Sequence, residues 1–318
     1  MDFGLHLGTR GVAANPDNLR ALAQHVDRLG LAYLGFSDHV VFTRSIASRY
    51  PYSASGAHPV GGSGFCLEQL SCLTYAAAVT ENVRLLTSVM VVPHRPAILA
   101  AKTLASIDVL SKGRLTVGIG VGWLAEEMAA LGSPPYDKRG TASDEYLAAF
   151  RALWTETEPS LEGAFVNLRG VIFEPKPVQT PYPPIWVGGE GPAARRRAGW
   201  LCEGWYPTIR NPKEPLDRPQ AFAAALADVR RHAETAGRDP ASVDVAVFAP
   251  GYLLGAPQHD AGEKRVAFTG SAEEIAADAR GFRDAGLKHL VIGFESPELQ
   301  DSLDRIEGFT KDVIPLVG

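Results

Sequence analysis

An aspartate and a histidine stand side by side at the end of a short apolar segment. Residues 34–42 read LGFSDHVVF; the first three suit a buried strand, and Asp38 and His39 follow where that strand should leave the core. An imidazole titrates near neutral pH, so His39 could give or take a proton, and Asp38 could orient it or hydrogen-bond a ligand. The alternative is a strand-end cap with a hydrogen-bonded histidine.

Other polar residues stand at comparable places. His6 lies in the first apolar segment and could point into the interior, while Ser88 interrupts the third, where a satisfied buried hydroxyl is the simpler interpretation. Glu126 and Glu127 follow the fourth segment in the first turn of a helix. Carboxylates at that position complement the helix dipole, so the sequence favours a structural role for both.

A glycine-rich turn follows the fifth apolar segment and opens a helix. The stretch VGGEGPAARRRAG contains Gly188, Gly189, Glu190 and Gly191 and then a proline. Bare amides at a helix N-terminus bind phosphate well, and the arginines at 195–197 could add positive charge; a tight strand–helix connection is the alternative. The similar turn at 118–123, GIGVGW, is not a dinucleotide fingerprint, since no acidic residue follows a next strand at the expected distance.

These candidates need elements to position them, and apolar segments alternate with helical patterns along the whole chain. We predict strands at 3–8, 32–37, 83–90, 114–119, 184–189, 204–207, 243–249 and 289–294. We predict helices at 17–29, 67–80, 96–111, 142–155, 191–200, 218–237, 271–285 and 298–311. Short, nearly continuous apolar strands indicate a parallel sheet covered on both faces. Eight βα units predict an α/β fold of the (β/α)8 TIM-barrel type rather than a doubly wound open sheet, with the chemistry at the C-terminal strand ends.

Two stretches exceed a minimal barrel. Residues 43–64, after strand two, are rich in serine, glycine and aromatics, and a loop of that length is typical of a functional segment such as a lid. Residues 156–183, between strands four and five, combine alternating apolar residues with prolines and predict a small hairpin and a linker. We expect a single domain over 1–318 with these two insertions.

Composition narrows the class of protein. A net charge of −5 argues against a general nucleic-acid binder. Three cysteines without a CxxC pair indicate reduced thiols, and neither a signal peptide nor an apolar stretch of membrane-spanning length is visible, so we expect a cytoplasmic protein. A metal-dependent hydrolase is disfavoured because His6, His39 and His94 are scattered.

Taken together, four stretches resemble the bacterial-luciferase-like superfamily of flavin and deazaflavin oxidoreductases. They are GFSDHVVF, VRLLTSVMVVPHRPAILAAKTLASIDVLSKGRLTVGIGVGWLAEEMAALG, RGTASDEYLAAFRALW and FEPKPVQTPYPPIWVGGEGPAARRRAG. The second is long and specific and looks most like the coenzyme F420-dependent branch. The resemblance reaches residue 200 by motif and the rest of the chain by element order.

The resemblance implies roles for particular residues. A non-prolyl cis peptide on strand three would support the back of the cofactor ring, and Ser88–Val89 occupies the matching position. Asp38 and His39 match a pair near the reactive face of the ring, with His39 as proton donor or acceptor. Cofactor contacts would come from two glycine turns: Gly120, Val121 and Gly122 on the ribityl side, and Gly188, Gly189, Glu190 and Gly191 at the phosphate.

The substrate pocket would be shaped by His6, Tyr50, Tyr52 and Trp123. Trp123 stands where some F420 enzymes carry a glutamate acid, which puts a second proton-transfer group in question. No arginine lies near Val121, which favours F420 over FMN. The resemblance therefore predicts an F420-dependent oxidoreductase that acts on a small molecule and forms a homodimer; the alternatives are an FMN-dependent monooxygenase and a flavin-binding barrel without catalysis.

Overall fold

Eight parallel strands close into a barrel at the centre of the fold. The computed structural model describes residues 1–57, 64–260 and 262–318. The strands are β1 (Asp2–Leu7), β2 (Tyr33–Phe36), β3 (Arg84–Thr87), β4 (Met90–Val91), β5 (Leu115–Gly120), β6 (Leu161–Glu162), β7 (Asn167–Leu168), β8 (Ile185–Gly188), β9 (Gly204–Tyr206), β10 (Asp244–Ala249), β11 (Leu253–Leu254), β12 (Thr269–Gly270) and β13 (His289–Gly293). Around the barrel the order is β1, β2, β3, β5, β8, β9, β10, β13 and back to β1, and β4 continues β3 alongside β5.

Helices cover the outside of the barrel. They are α1 (Pro16–Arg28), α2 (Gln69–Val79), α3 (Ala97–Leu110), α4 (Ala125–Ala130), α5 (Arg139–Thr155), α6 (Pro192–Leu201), α7 (Pro219–Thr235), α8 (Ala272–Asp284), α9 (Leu299–Gly308) and α10 (Ile314–Val317). Their starts follow local chemistry: the Asn15 side chain caps α1, and Ser271 and Glu274 form a capping box on α8. Within the described ranges, every helix is too short or too polar to cross a membrane.

The barrel interior is a packed core of its own. Its side chains come from six strands and include two aromatic pairs, and the set is Tyr33, Leu86, Trp186, Tyr206, Ala246 and Val291. Strands approach so closely in places that only glycine fits. A Cβ on Gly118 would lie 2.1 Å from the carbonyl oxygen of Thr87, which is a backbone atom that cannot rotate away.

The predicted α/β barrel is confirmed, with all eight strands and all eight predicted helices within a few residues of their expected places. The third predicted strand, 83–90, is divided into β3 and β4 because the Ser88–Val89 peptide is cis. A hairpin does form in the 156–183 insertion: β7 lies within the alternating residues 166–173, and β6 lies just before them. Residues 58–63 of the insertion predicted at 43–64 lie outside the described residues.

Candidate active site

His39 is held by a buried carboxylate from a distant part of the chain. It follows β2 at the C-terminal end of the barrel, and its Nδ1 lies 2.7 Å from Oε2 of Glu127 in the first turn of α4. The Glu127 side chain has no exposed surface, whereas 13% of the His39 side chain is exposed. The other carboxylate oxygen accepts the backbone amides of Val40 at 2.6 Å and Val41 at 3.2 Å. Glu127 therefore fixes both the ring and the backbone beside it.

The electrostatics around Glu127 keep it ionised. Burial alone would raise the pKa of Glu127, but the hydrogen bond and charge of His39, with a smaller contribution from His94, hold it below its ordinary value. Nε2 of His94 lies 3.8 Å from the same oxygen that His39 contacts. Burial lowers the pKa of His94 itself, so that imidazole is neutral at pH 7 and adds no full charge to the cluster.

Asp38 faces a different set of partners from its neighbour. Both of its carboxylate oxygens accept hydrogen bonds from the Arg95 guanidinium at 2.8 Å, and one also accepts the Val91 amide at 2.9 Å. Arg95 in turn pairs with Glu68 at the N-cap of α2. The Asp38 side chain has no exposed surface. The expectation that Asp38 orients His39 is corrected here: Glu127 contacts the ring, and Asp38 links β2, β4 and α2 through Val91 and Arg95. The other expectation, that Asp38 contacts cofactor or substrate, stays a prediction.

The second carboxylate of α4 holds the chain that follows His39. Glu126 accepts the backbone amides of Ala47 at 2.6 Å and Ser48 at 3.0 Å. Beyond this clamp, the ring of Tyr50 packs edge-on against Trp123 with centroids 5.1 Å apart. The His39 ring lies 6.1 Å from Trp123. Two adjacent glutamates thus bind the start of the long loop to the barrel rim.

The predicted pocket residues after β2 form one aromatic group. Tyr52 continues from Tyr50, with ring centroids 5.4 Å apart, and is more exposed than its neighbour. The group therefore joins Tyr50, Tyr52 and Trp123 to His39 along one side of the rim.

A chain of hydrogen bonds crosses the barrel at the level of the cis peptide. Ser88 Oγ lies 2.8 Å from Nδ1 of His6 on β1 and 2.8 Å from the hydroxyl of Tyr206 on β9. The His6 ring also packs against Phe248 at 4.3 Å between centroids. Burial, aided by the charge of Arg10, lowers the pKa of His6 to about 3. His6 does point into the barrel, as a neutral ring in a polar chain.

Val89 separates two of the predicted cofactor-contact glycines. Its side chain lies where an added Cβ on Gly120 would come within 3.0 Å and one on Gly188 within 3.1 Å. Gly122 has φ +87° and would meet Val91 at 2.8 Å if it carried a Cβ, and Val121 between the two glycines is half-buried. Because Gly120 and Gly188 have no side chains, they leave room for the Val89 side chain between them.

The glycine-rich turn after β8 leads into α6 as expected. Gly189 has φ +104°, and Gly191 is the N-cap residue of α6, where an added Cβ would meet open space. Glu190 points inward and accepts the Thr208 amide at 2.8 Å and the Asn211 side chain at 2.7 Å. Its carboxylate is therefore committed to the fold of this rim, and burial raises the pKa of Glu190.

The arginines of α6 do not serve this turn as supposed. Arg195 lies within ion-pair distance of Glu214 and Asp228, and Arg197 pairs with Asp144. The positive charges of Arg195 and Arg197 are thus taken up by neighbouring carboxylates, and Arg196 packs over the ring of Trp200 at 4.9 Å.

The residues predicted to contact a cofactor lie at one rim of the barrel. Cis peptide, glycine turns and His39 all lie at the C-terminal ends of parallel strands, and hence at one rim of the barrel. The open space at Gly191, with the first amides of the ten-residue helix α6 behind it, suits an anionic group. In the part of the chain that is described, no three His, Cys, Asp or Glu side chains are grouped to hold a metal ion.

Sequence reasoning did not find the partners of these residues. Glu127 and Arg95 are the residues that hold His39 and Asp38, and Tyr206 completes the chain through Ser88. A signal for Glu127 exists: it follows the end of a barrel strand by seven residues, on the same rim as His39. On the sequence alone, the helix dipole already accounts for Glu126 and Glu127, so the contact between Glu127 and His39 was not predicted.

Comparison with known proteins gives a match over nearly the whole chain. The family described as luciferase-like monooxygenase matches residues 1–305. An uncharacterized protein of Mycobacterium tuberculosis is 37% identical over 172 residues, which cover 51% of this chain and 60% of that protein. An FMNH(2)-dependent dimethylsulfone monooxygenase of Pseudomonas putida is 31% identical over 223 residues, covering 70% of this chain and 56% of that one. The chain therefore spans under two thirds of the length of these relatives.

A solved structure supports the fold. The coenzyme F420-dependent tetrahydromethanopterin reductase of Methanopyrus kandleri superposes with a TM-score of 0.76 at 17% identity, covering 100% of this chain and 99% of that one.

Proposed function

Because the chain belongs to the luciferase-like monooxygenase family, a family of oxidoreductases, we propose that it transfers hydride between coenzyme F420 and a small organic substrate. His39 would move the accompanying proton. The observation that carries this proposal is the contact of 2.7 Å between His39 and the buried Glu127, at the rim where the ring would lie. A histidine braced by a carboxylate is the arrangement that general acid–base catalysis requires.

The residues that would hold the cofactor follow from the geometry of the rim. Ser88 and Val89 would lie behind the ring, with Gly120 and Gly188 leaving room on either side of Val89. The turn at 188–191 and the N-terminus of α6 would take the phosphate. When bound, the deazaflavin supplies the two-electron hydride chemistry.

The chain's own part is to orient the reactants and to move a proton. When an alcohol is oxidised, its C–H hydrogen leaves as hydride and its O–H proton passes to His39, which leaves a carbonyl; reduction runs the same steps backwards. Tyr50, Tyr52 and Trp123 lie beside His39 and would shield the substrate from water. We also propose that the substrate is a small molecule and the assembly a homodimer.

Two features bear on whether the protein binds F420 or FMN. The turn that reads GVGW at 120–123 carries no arginine, and Arg195 and Arg197 are engaged with carboxylates. Both features favour a cofactor that does not rely on an arginine at its phosphate. The second candidate is an FMN-dependent monooxygenase that uses reduced flavin and oxygen, which the dimethylsulfone monooxygenase relative supports.

Cofactor titration separates these candidates. The purified protein is titrated with F420 and with FMN, and fluorescence reports each dissociation constant. We expect F420 to bind at least about tenfold more tightly, a free-energy difference of about 1.4 kcal/mol. Tighter binding of FMN would favour the monooxygenase instead.

Turnover then tests the histidine. Reduced F420 is mixed with a panel of ketones and activated alkenes, and oxidised F420 with alcohols, and the F420 absorbance is followed. His39→Ala should lower kcat by about 10²–10⁴-fold while F420 affinity changes less than about threefold. His232→Ala on α7, away from the rim, is the matched control and should keep its activity. Equal turnover by His39→Ala would remove this residue from the reaction.

A further inference from the structure

The contacts of Glu127 determine more than the position of His39. We propose that Glu127 is a positioning residue that keeps the proton of neutral His39 on Nδ1, so that Nε2 is the nitrogen that exchanges a proton with the substrate. This inference rests on the proposed function for its consequence in turnover, but the tautomer itself is a property of the protein alone.

The carboxylate has one oxygen for each task. Oε1 accepts the amides of Val40 and Val41, and Oε2 lies 2.7 Å from Nδ1 of His39. An ionised carboxylate has no proton to donate, so a hydrogen bond at this distance requires that Nδ1 carries one. In a neutral imidazole the lone pair then falls on Nε2.

The groups around the carboxylate keep it in the accepting form. Two backbone amides already donate to Oε1, and protonation of Glu127 would remove the negative charge that strengthens both of these bonds. Among the residues that the structure describes, the titratable groups near this cluster include His94, Asp38, Arg95 and Cys66. Arg95 is paired with Asp38, and the Cys66 thiol donates to the His39 carbonyl at 3.6 Å. Burial raises the pKa of Cys66, so it brings no negative charge at pH 7.

The tautomer of His39 determines which ring nitrogen can accept the substrate proton. In alcohol oxidation the hydroxyl proton would move to Nε2, the hydrogen on the carbinol carbon would leave with its bonding electron pair as hydride to oxidised F420, and a carbonyl and an imidazolium paired with Glu127 would remain. In the reverse direction Nε2 returns that proton to the carbonyl oxygen. A ring with its proton on Nε2 offers no lone pair there and could not accept the proton.

Glu127→Gln tests this with almost no change of shape. The glutamine carbonyl can still accept from the Val40 amide, but its NH2 group now faces Nδ1 and can only donate. The ring must then accept at Nδ1 and carry its proton on Nε2. Glu126→Gln is the matched control: it stands next in sequence, holds Ala47 and Ser48, and does not face the imidazole.

The readout is NMR of the cofactor-free protein. Long-range proton–nitrogen spectra of histidine-labelled protein distinguish the two tautomers, and His39→Ala assigns the signal. We expect the proton of His39 on Nδ1 in the wild type and in Glu126→Gln, and on Nε2 in Glu127→Gln. A wild-type ring protonated on Nε2 would overturn the proposal, and so would an unchanged tautomer in Glu127→Gln. If Glu127→Gln does not fold, the wild-type spectrum alone decides.

Turnover gives the second, separable result. With F420 and the best substrate from the panel, Glu127→Gln should lose at least about 100-fold in kcat at nearly unchanged F420 affinity, since the same carboxylate-to-amide change costs about 10⁴-fold in serine proteases through the wrong tautomer. Glu126→Gln should stay within about threefold. An Nδ1 proton in a protein that turns over no F420 would support the positioning and reject the F420 reaction.

Discussion

The ion pair of Arg95 and Asp38 is buried, and replacing Arg95 should lower the free energy of unfolding by an amount that can be measured. Arg95→Met removes the guanidinium and leaves the methylene packing largely in place. Asp38 then has no exposed surface and keeps only the Val91 amide as a donor. Removing one partner of a buried pair costs about 3–5 kcal/mol because the other charge is stranded. Glu68, about a third exposed, can return to water, so we expect about 3 kcal/mol.

The pH dependence identifies the cause. In the wild type, burial would raise the pKa of Asp38, but the hydrogen bonds and charge of Arg95 hold it below the ordinary value. That contribution is fully present above the unfolded pKa of about 3.9 and is lost only as the pH falls through the folded pKa. In Arg95→Met the Val91 amide still opposes the effect of burial, but without the guanidinium burial dominates and raises the folded pKa of Asp38 above its unfolded value. The variant should therefore recover stability relative to the wild type as the pH falls from 7.5 to 5.

Urea unfolding followed by tryptophan fluorescence at both pH values measures these free energies. Asp38→Asn combined with Arg95→Met removes the stranded charge and should be more stable than Arg95→Met alone at pH 7.5. Lys311→Met, which breaks an exposed ion pair with Glu307, is the control and should change little. A cost under about 1 kcal/mol for Arg95→Met, equal at both pH values, would refute the reasoning.

Two further predictions concern the barrel interior and its glycines. Because the folded pKa of His6 is about 3, the unfolded chain binds one more proton than the folded protein below pH 6.5. The free energy of unfolding should therefore fall by up to about 2 kcal/mol between pH 6.5 and 5. Urea unfolding of His6→Gln should show that much less loss, and a loss equal to that of the wild type would contradict the assignment. Gly118→Ala forces a Cβ against a carbonyl oxygen and should destabilise by about 1–3 kcal/mol or more, whereas Gly191→Ala, with open space and φ −73°, should change the unfolding free energy little.

The fold could be predicted because its signals are local and repeated. Each barrel strand is a short apolar segment, and each long helix has its own stripe or cap, so eight repeats of one pattern reinforce each other. The elements that were missed are too short for any period to show. Helix α10 has four residues, and β11 and β12 have two each and pair with one another.

The candidate site was predictable only in part, for the same reason. Asp38 and His39 could be placed at the rim because a strand end is a local feature. Their partners are 57 and 88 residues away in sequence, and nothing near residue 38 indicates them. Glu127 comes after β5, which is not a neighbour of β2 in the barrel, so strand adjacency would not have suggested the contact either.

Asp38 and His39 are adjacent but contact different partners, because an extended chain turns successive side chains to opposite sides. Asp38 faces inward and ties the end of β2 to β4 and α2 through Arg95, which holds the backbone in place. His39 faces α4 and the rim, where Glu127 fixes the ring. A proton-transfer group gains from a rigid backbone as much as from an oriented ring. Asp38 therefore anchors the backbone that carries His39, and each of the two neighbouring side chains has its own partner.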